Sequence, residues 1–207
     1  MQNKIIVAGI GPGNKNYITP AALEKIQAAK FLVGGRRALA DFSTSSQETF
    51  AITADLNAVK NFIAEKILLD NVVVMVSGDP GYFSLLTFLK KNFVTEIEVI
   101  PSISAMQLAF AKLALSWENA TLLSFHGRRP ADDDLKFKVG KVLGLLTDSE
   151  FNSVTISKIL LNLGWETNSN IAICSKLSYA DEKIIVTTLE HAVQSDAVKH
   201  CVLIVGF

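Results

Sequence analysis

"VVVMVSGDPGYFSLL", residues 72–86, opens as a run of aliphatic residues and then breaks. The run has no polar alternation, the pattern of a strand buried on both faces of a parallel sheet. Gly78, Pro80 and Gly81 then interrupt the extended chain around Asp79, ahead of the apolar residues of a following helix. Asp79 there has a plain reading as a turn residue that caps the helix. It also has a sharper one. In open α/β sheets the carboxyl ends of the strands hold the ligands, and glycine there lets backbone approach a ligand closely.

Two other stretches repeat the arrangement. "KIIVAGI" (4–10) runs into "GIGPG", which supplies Gly9, Gly11, Pro12 and Gly13. "EIEVIP" (96–101) runs into "SISA", where Ser102 is N-cap-like and Ser104 and Ala105 lead into a helix. Ser77, Gly78, Asp79 and Tyr82 belong to the first loop quoted. Together the three loops describe a site for a compact, polar ligand that is not strongly anionic. A dinucleotide does not fit. Its fingerprint is G-x-G-x-x-G, whereas here Pro12 interrupts the glycines and has no N–H to offer a pyrophosphate. The second strand, "FLVGG" (31–35), also ends without the acid that would hold ribose hydroxyls. The same absence weakens an ordinary Rossmann-type methyltransferase.

Farther along, strands and helices alternate. "ITPAALEKIQAAK" (18–30) has Thr19 as N-cap and Pro20 at the first helical position, and 54–69 and 102–115 have helical spacing. Near "SWENA" (116–120) the rhythm pauses. "TLLSF", "KVLGLLTD", a helix around 152–163, "NIAICSKL", "KIIVTTL" and "CVLIVGF" follow. This predicts an α/β fold of two domains, 1–115 with a mainly parallel sheet and 116–207 with a mixed one. In 207 residues, 49% are hydrophobic and the formal net charge is +0, which argues against a nucleic-acid or membrane surface built on bulk charge. Mean hydropathy is +0.32, yet the apolar stretches are short and interrupted, so no membrane span is expected. Residues 1–10 enter a strand directly, without a signal peptide, and a cytoplasmic location is expected. Cys174 and Cys201 lie in apolar runs and read as reduced core residues rather than a disulfide or metal pair.

Taken in order, "IIVAGIGPGNKNYITPAALEKIQAAKFLVGGRRAL", "VSGDPGYFSLL", "IPSISA", "LSFHGR" and "CSKLSYADEKI" resemble the tetrapyrrole (corrin/porphyrin) methylases over nearly the whole chain. "VGGRR" and "KLSYADEKI" are most similar to the branch that methylates C-5 of a corrin precursor, of cobalt-precorrin-7 or precorrin-6Y type, in cobalamin biosynthesis. The resemblance implies two α/β domains with S-adenosylmethionine, the methyl donor, in the cleft between them. It implies that Pro12, Ser77, Gly78, Asp79, Tyr82, Ser104 and Ala105 line the cofactor site. In the second domain Leu146 and Cys174 fall where the family contacts the cofactor through backbone atoms. Pro101-Ser102 stands where many relatives carry Pro-Gly. A homodimer is implied. Because the chain ends at Phe207, a separate subunit is expected for methylation at C-15 and decarboxylation.

Methyl transfer from a sulfonium to an electron-rich carbon needs positioning and a dry site more than an acid or base. No Ser-His-Asp set, paired carboxylates or metal-ligand spacing stands out, and no metal is expected. His126 in "SFHGR" is the candidate catalytic residue, weighed against a loop-shaping role. His191 and His200 read as surface residues, and "DDD" (132–134) as a solvated helix start. The arginines come only as Arg36-Arg37 and Arg128-Arg129, each pair after a glycine that follows a predicted strand. Guanidinium forks suit the carboxylate arms of a corrin precursor, while ordinary surface charge is the competing explanation. Two alternatives stand beside this reading. One is another enzyme of the same fold, acting on a different corrin carbon or as a diphthine synthase. The other is a non-catalytic protein that binds cofactor or tetrapyrrole.

Overall fold

The computed structural model describes residues 3–207, and the chain falls into two units that divide between Ser104 and Ala105. In the first unit the elements are β1 (Ile5–Gly9), α1 (Pro20–Ala28), β2 (Phe31–Gly34), α2 (Arg36–Phe42), β3 (Glu48–Ala51), α3 (Leu56–Lys66), β4 (Val72–Val76), α4 (Leu86–Asn92) and β5 (Ile97–Ile100). The strands form one parallel sheet in the order β3-β2-β4-β1-β5. Every residue of β1, β2 and β4 is buried, as aliphatic runs without alternation require when helices cover both faces. Ile6, Ala8, Leu32, Val73 and Met75 face Ala22 and Ile26 of α1 and Leu39 of α2. Ile5, Val7, Val33, Val72 and Val74 face Val59 and Ile63 of α3 and Leu89 of α4.

The strand order places a switch point at β1 and β4. From β1 the chain passes over one face to β2, beyond β4. From β4 it passes over the other face to β5, beyond β1. Adjacent strands whose connections leave in opposite directions open a crevice at their carboxyl ends. The β1, β4 and β5 loops therefore emerge from neighbouring strands.

The second unit contains α5 (Ala105–Lys112), β6 (Thr121–Ser124), α6 (Asp132–Leu135), β7 (Leu143–Leu146), α7 (Ser153–Asn162), β8 (Asn170–Ser175), β9 (Lys183–Thr188), α8 (Leu189–Gln194) and β10 (Cys201–Val205). Its sheet runs β6-β7-β10-β8-β9, with β6 and β7 parallel and the other pairs antiparallel, the mixed sheet expected. Leu145, Ile171, Ile173 and Leu203 pack with Ile156 and Leu160 of α7 and Leu189 of α8. On β7, a Cβ at Gly144 would lie 2.6 Å from Met106 Sδ and 3.1 Å from Phe110 Cε2. The missing side chain lets α5 lie against this sheet. For that reason α5 groups with the second unit, and the division falls at 104/105 rather than near 115.

Most expected helices form. Thr19 Oγ1 accepts from Ala22 N at 3.2 Å with Pro20 inside the first turn, and Asn152 Oδ1 caps α7 through Val154 and Thr155. Ser102 is not a cap, because α5 starts at Ala105 and the Ser102 groups are used elsewhere. Among the described residues no helix is long and apolar enough to cross a membrane.

Candidate active site

Gly9, the last residue of β1, is the point where the three loops meet. A Cβ built there would lie 2.7 Å from Gly78 O, 2.7 Å from Ser102 Cβ and 2.8 Å from Pro80 Cδ. Only a residue without a side chain lets the β4 and β5 loops close over β1. Gly78 N donates to Gly11 O at 2.8 Å, forming a two-residue bridge between the first two loops. Gly78 holds φ +69°, which suits glycine. Asp79 then ties the second loop to the third. Its Oδ1 accepts from Gly81 N at 2.8 Å and its Oδ2 from Ser102 N at 3.0 Å. Ser102 Oγ donates to Tyr17 O at 3.3 Å and closes the circuit back to the β1 loop. Asp79 does not cap α4; it is the clasp of a three-loop assembly.

Tyr82 N donates to Asp79 O at 3.1 Å and completes the turn. The Tyr82 hydroxyl is buried and has no hydrogen-bond partner among the described residues. Burial pushes its pKa up to about 12, so the phenol stays protonated and can donate. Beside it, Phe83 is 42% exposed with φ +48°, and its ring meets that of Tyr82 edge-on at 4.7 Å. Ser84 Oγ donates to the Pro80 carbonyl and accepts from Leu86 N at 3.3 Å, so α4 starts only after the loop is complete. A pocket of about 280 Å³ opens beside this loop, lined by Met75 and Val76 of β4 and by residues that follow β2, β3 and β4.

In the second unit Leu146 and Cys174 share one row across the sheet, each opposite Val202 of β10. Cys174 is buried, and desolvation, with smaller effects from Cys201 and Glu182, lifts its thiol to about 12. Cys201 is lifted to about 11 for the same main reason, and both thiols are free. Neither is a nucleophile at neutral pH. His126 is exposed, with its backbone N–H donating to Ser124 Oγ at 3.2 Å. Its loop is anchored by Asp148, whose carboxylate accepts from Gly127, Glu150 and Phe151 N–H groups at 2.7–3.1 Å. Those bonds, led by Gly127 and then Phe151, hold its pKa below the usual carboxylate value. Arg36 and Arg37 begin α2 and are exposed, as are Arg128 and Arg129. Arg129 pairs with Asp132 at 2.6 Å. His191 and His200 are exposed, and Asp132–Asp134 open α6 on the surface.

The family model for tetrapyrrole (corrin/porphyrin) methylases matches residues 4–193. The chain belongs to this family. It is 32% identical over 202 residues, 93% of this chain and 92% of the relative, to a "probable cobalt-precorrin-7 C(5)-methyltransferase" of Methanocaldococcus jannaschii. It is 33% identical over 161 residues, 77% of this chain and 79% of the relative, to the cobalt-precorrin-7 C(5)-methyltransferase of Salmonella typhimurium. Its fold matches the crystal structure of the methyltransferase CobJ with a TM-score of 0.82 at 21% identity, covering 99% of this chain and 94% of that one. It also matches the uroporphyrin-III C-methyltransferase of Thermus thermophilus complexed with S-adenosylhomocysteine, with a TM-score of 0.76 at 19% identity, covering 99% and 92% of the two chains.

In the first unit Gly9 lets the three loops pack together, and the Tyr82 hydroxyl is a buried donor without a hydrogen-bond partner among the described residues. Among the described residues no cluster of metal-ligating side chains is present. Sequence reading named Asp79 and the loops, but it passed over Asp148, Phe83 and the pocket. Asp148 had a legible signal, since an Asp two and three residues before N–H donors at a strand end is an Asx-turn pattern. Phe83 had none. Nothing in an aromatic residue's identity announces a positive φ.

Proposed function

We propose that this methylase moves the methyl group of S-adenosylmethionine to C-5 of a corrin precursor of the cobalt-precorrin-7 type, a step of cobalamin biosynthesis. The observation that carries the reading is the similarity to C(5)-methyltransferases over as much as 93% of the chain, in a chain whose three loops meet at Gly9. When bound, the cofactor supplies a methyl on a sulfonium, which leaves as a neutral thioether. The protein's part is to bind, orient and exclude water. The backbone of Pro12, Ser77, Gly78, Ser104 and Ala105, with the Tyr82 hydroxyl, would hold the donor. Asp79 would act through the loops it clasps. For Leu146 and Cys174, backbone contact with the cofactor stands as what the family resemblance implies.

The acceptor is an electron-rich carbon of an extended conjugated ring, so forming the new bond needs no base. His126, exposed on the loop after β6, is the candidate for taking up the proton lost afterwards. Arg36, Arg37, Arg128 and Arg129 would meet carboxylate arms of the substrate, Arg129 in competition with its ion pair to Asp132.

Incubation with S-adenosylmethionine and cobalt-precorrin-7 under anaerobic conditions should produce S-adenosylhomocysteine and a corrinoid heavier by one methyl in place of a hydrogen. Binding of S-adenosylhomocysteine without turnover would reduce the chain to a binder or redirect it to another acceptor. No calorimetric signal with millimolar S-adenosylhomocysteine would remove the cofactor assignment.

A further inference from the structure

The loop after β4 has two sides. Gly78 and Pro80 meet Gly9, whereas Ser77 and residues 83–85 line the pocket of about 280 Å³. No wall of that pocket comes from the β1 or β5 loops. We propose that it seats one edge of the corrin substrate, with Phe83 as an apolar contact and specificity residue and Arg36 as the partner of a carboxylate arm on that edge. This rests on the corrin-methylating reading above.

Five observations support it. Phe83 holds φ +48° and is 42% exposed, in a part of backbone space that aromatic residues rarely occupy and that clusters at ligand-contact sites. Its ring is braced edge-on by Tyr82, an arrangement that presents a fixed apolar surface. The interior is formed mainly by Ala38, Ile52, Met75, Val76 and Leu85. At about 280 Å³ the pocket lies at the floor of the roughly 300–1,000 Å³ range for ligand sites, too small for a macrocycle but sufficient for one ring and its substituents. Finally, Arg36 directly follows the lining residue Gly35, is exposed and forms no ion pair with any described residue. A corrin rim carries methyl groups interleaved with carboxylate arms, so an apolar pocket with an exposed arginine next in sequence to its lining is complementary to one stretch of it.

Dicyanocobyrinic acid and its heptamethyl ester serve as probes, titrated by visible absorbance, with S-adenosylhomocysteine calorimetry run in parallel. Phe83→Gly should weaken both probes about 10-fold while the melting midpoint holds or rises, since glycine takes positive φ freely. Arg36→Ala should weaken the acid about 10-fold or more and leave the ester unchanged. Ile52→Trp, which fills the pocket, should weaken both probes. All three variants should bind S-adenosylhomocysteine within about 2-fold of wild type. Unchanged binding of both probes by the variants overturns the proposal, as does failure of the wild type to bind the acid at millimolar concentration. A parallel loss of S-adenosylhomocysteine affinity also overturns it, by assigning the pocket to the cofactor. A wild type that binds the acid through these residues yet methylates no corrinoid would sink the function and leave the pocket standing. A wild type that methylates while the variants bind normally would do the reverse.

Discussion

Gly9 and Asp79 bear different burdens in the same assembly. At Gly9 the constraint is space, because an added methyl meets atoms of both neighbouring loops within 2.8 Å. Gly9→Ala should therefore cost about 1–3 kcal/mol of stability through overpacking and leave S-adenosylhomocysteine binding undetectable by calorimetry. At Asp79 the constraint is charge and reach, since one carboxylate serves N–H donors on two loops. Asp79→Ala should lower stability by about 1–3 kcal/mol, read as a fall of roughly 2–12 °C in melting midpoint, and weaken S-adenosylhomocysteine about 10-fold. If the variant melts normally and binds normally, the clasp is dispensable. Asp79 was visible in sequence as a carboxylate among backbone breakers. Its partner Ser102 was misread as a cap because Ser before a helical pattern usually is one. Only the fold shows that the strand order brings residue 102 beside residue 79.

At the scale of elements, the strands were the most legible. Residues 72–76 and 5–9 are aliphatic without alternation, and a central parallel strand admits no other pattern. No helix or strand is assigned over 36–51 from the sequence, because α2 spans only Arg36–Phe42 and β3 only Glu48–Ala51, an edge strand half exposed to solvent. Its apolar signal is short and depends on packing that the sequence does not display. Helix α4 begins at Leu86, later than the apolar spacing from Tyr82 suggests, since Phe83 and Ser84 are held by the loop. In the second unit, Asp148 links the loops after β6 and β7. Its folded pKa lies below the ordinary value of 3.8, chiefly through N–H donors from Gly127 and then Phe151. A group depressed in this way contributes fully above its unfolded pKa, and the contribution is lost as pH falls through the folded one. Thermal scans between pH 6 and pH 2 should accordingly show a smaller acid-induced fall for Asp148→Asn than for wild type. Identical slopes below about pH 4 would mean that Asp148 is not a clasp.

For the whole molecule, the sequence pattern reached the family through motifs spread from residue 4 onward, and the family model spans residues 4–193. The boundary between the units was less legible, because whether α5 joins one sheet or the other depends on the small residue at Gly144 rather than on any linker composition. Assembly remains a prediction. Light scattering at micromolar concentration should give twice the chain mass of 22.5 kDa, and a monomer alone would refute the dimer. The central claim is methyl transfer to one carbon. It is tested most directly by supplying S-adenosylmethionine labelled with carbon-13 in the methyl group, together with cobalt-precorrin-7, and locating the label in the product by nuclear magnetic resonance. The account predicts a single labelled methyl bonded to C-5. A label on another ring carbon, or a corrinoid that returns unlabelled although the protein binds both ligands, would contradict it.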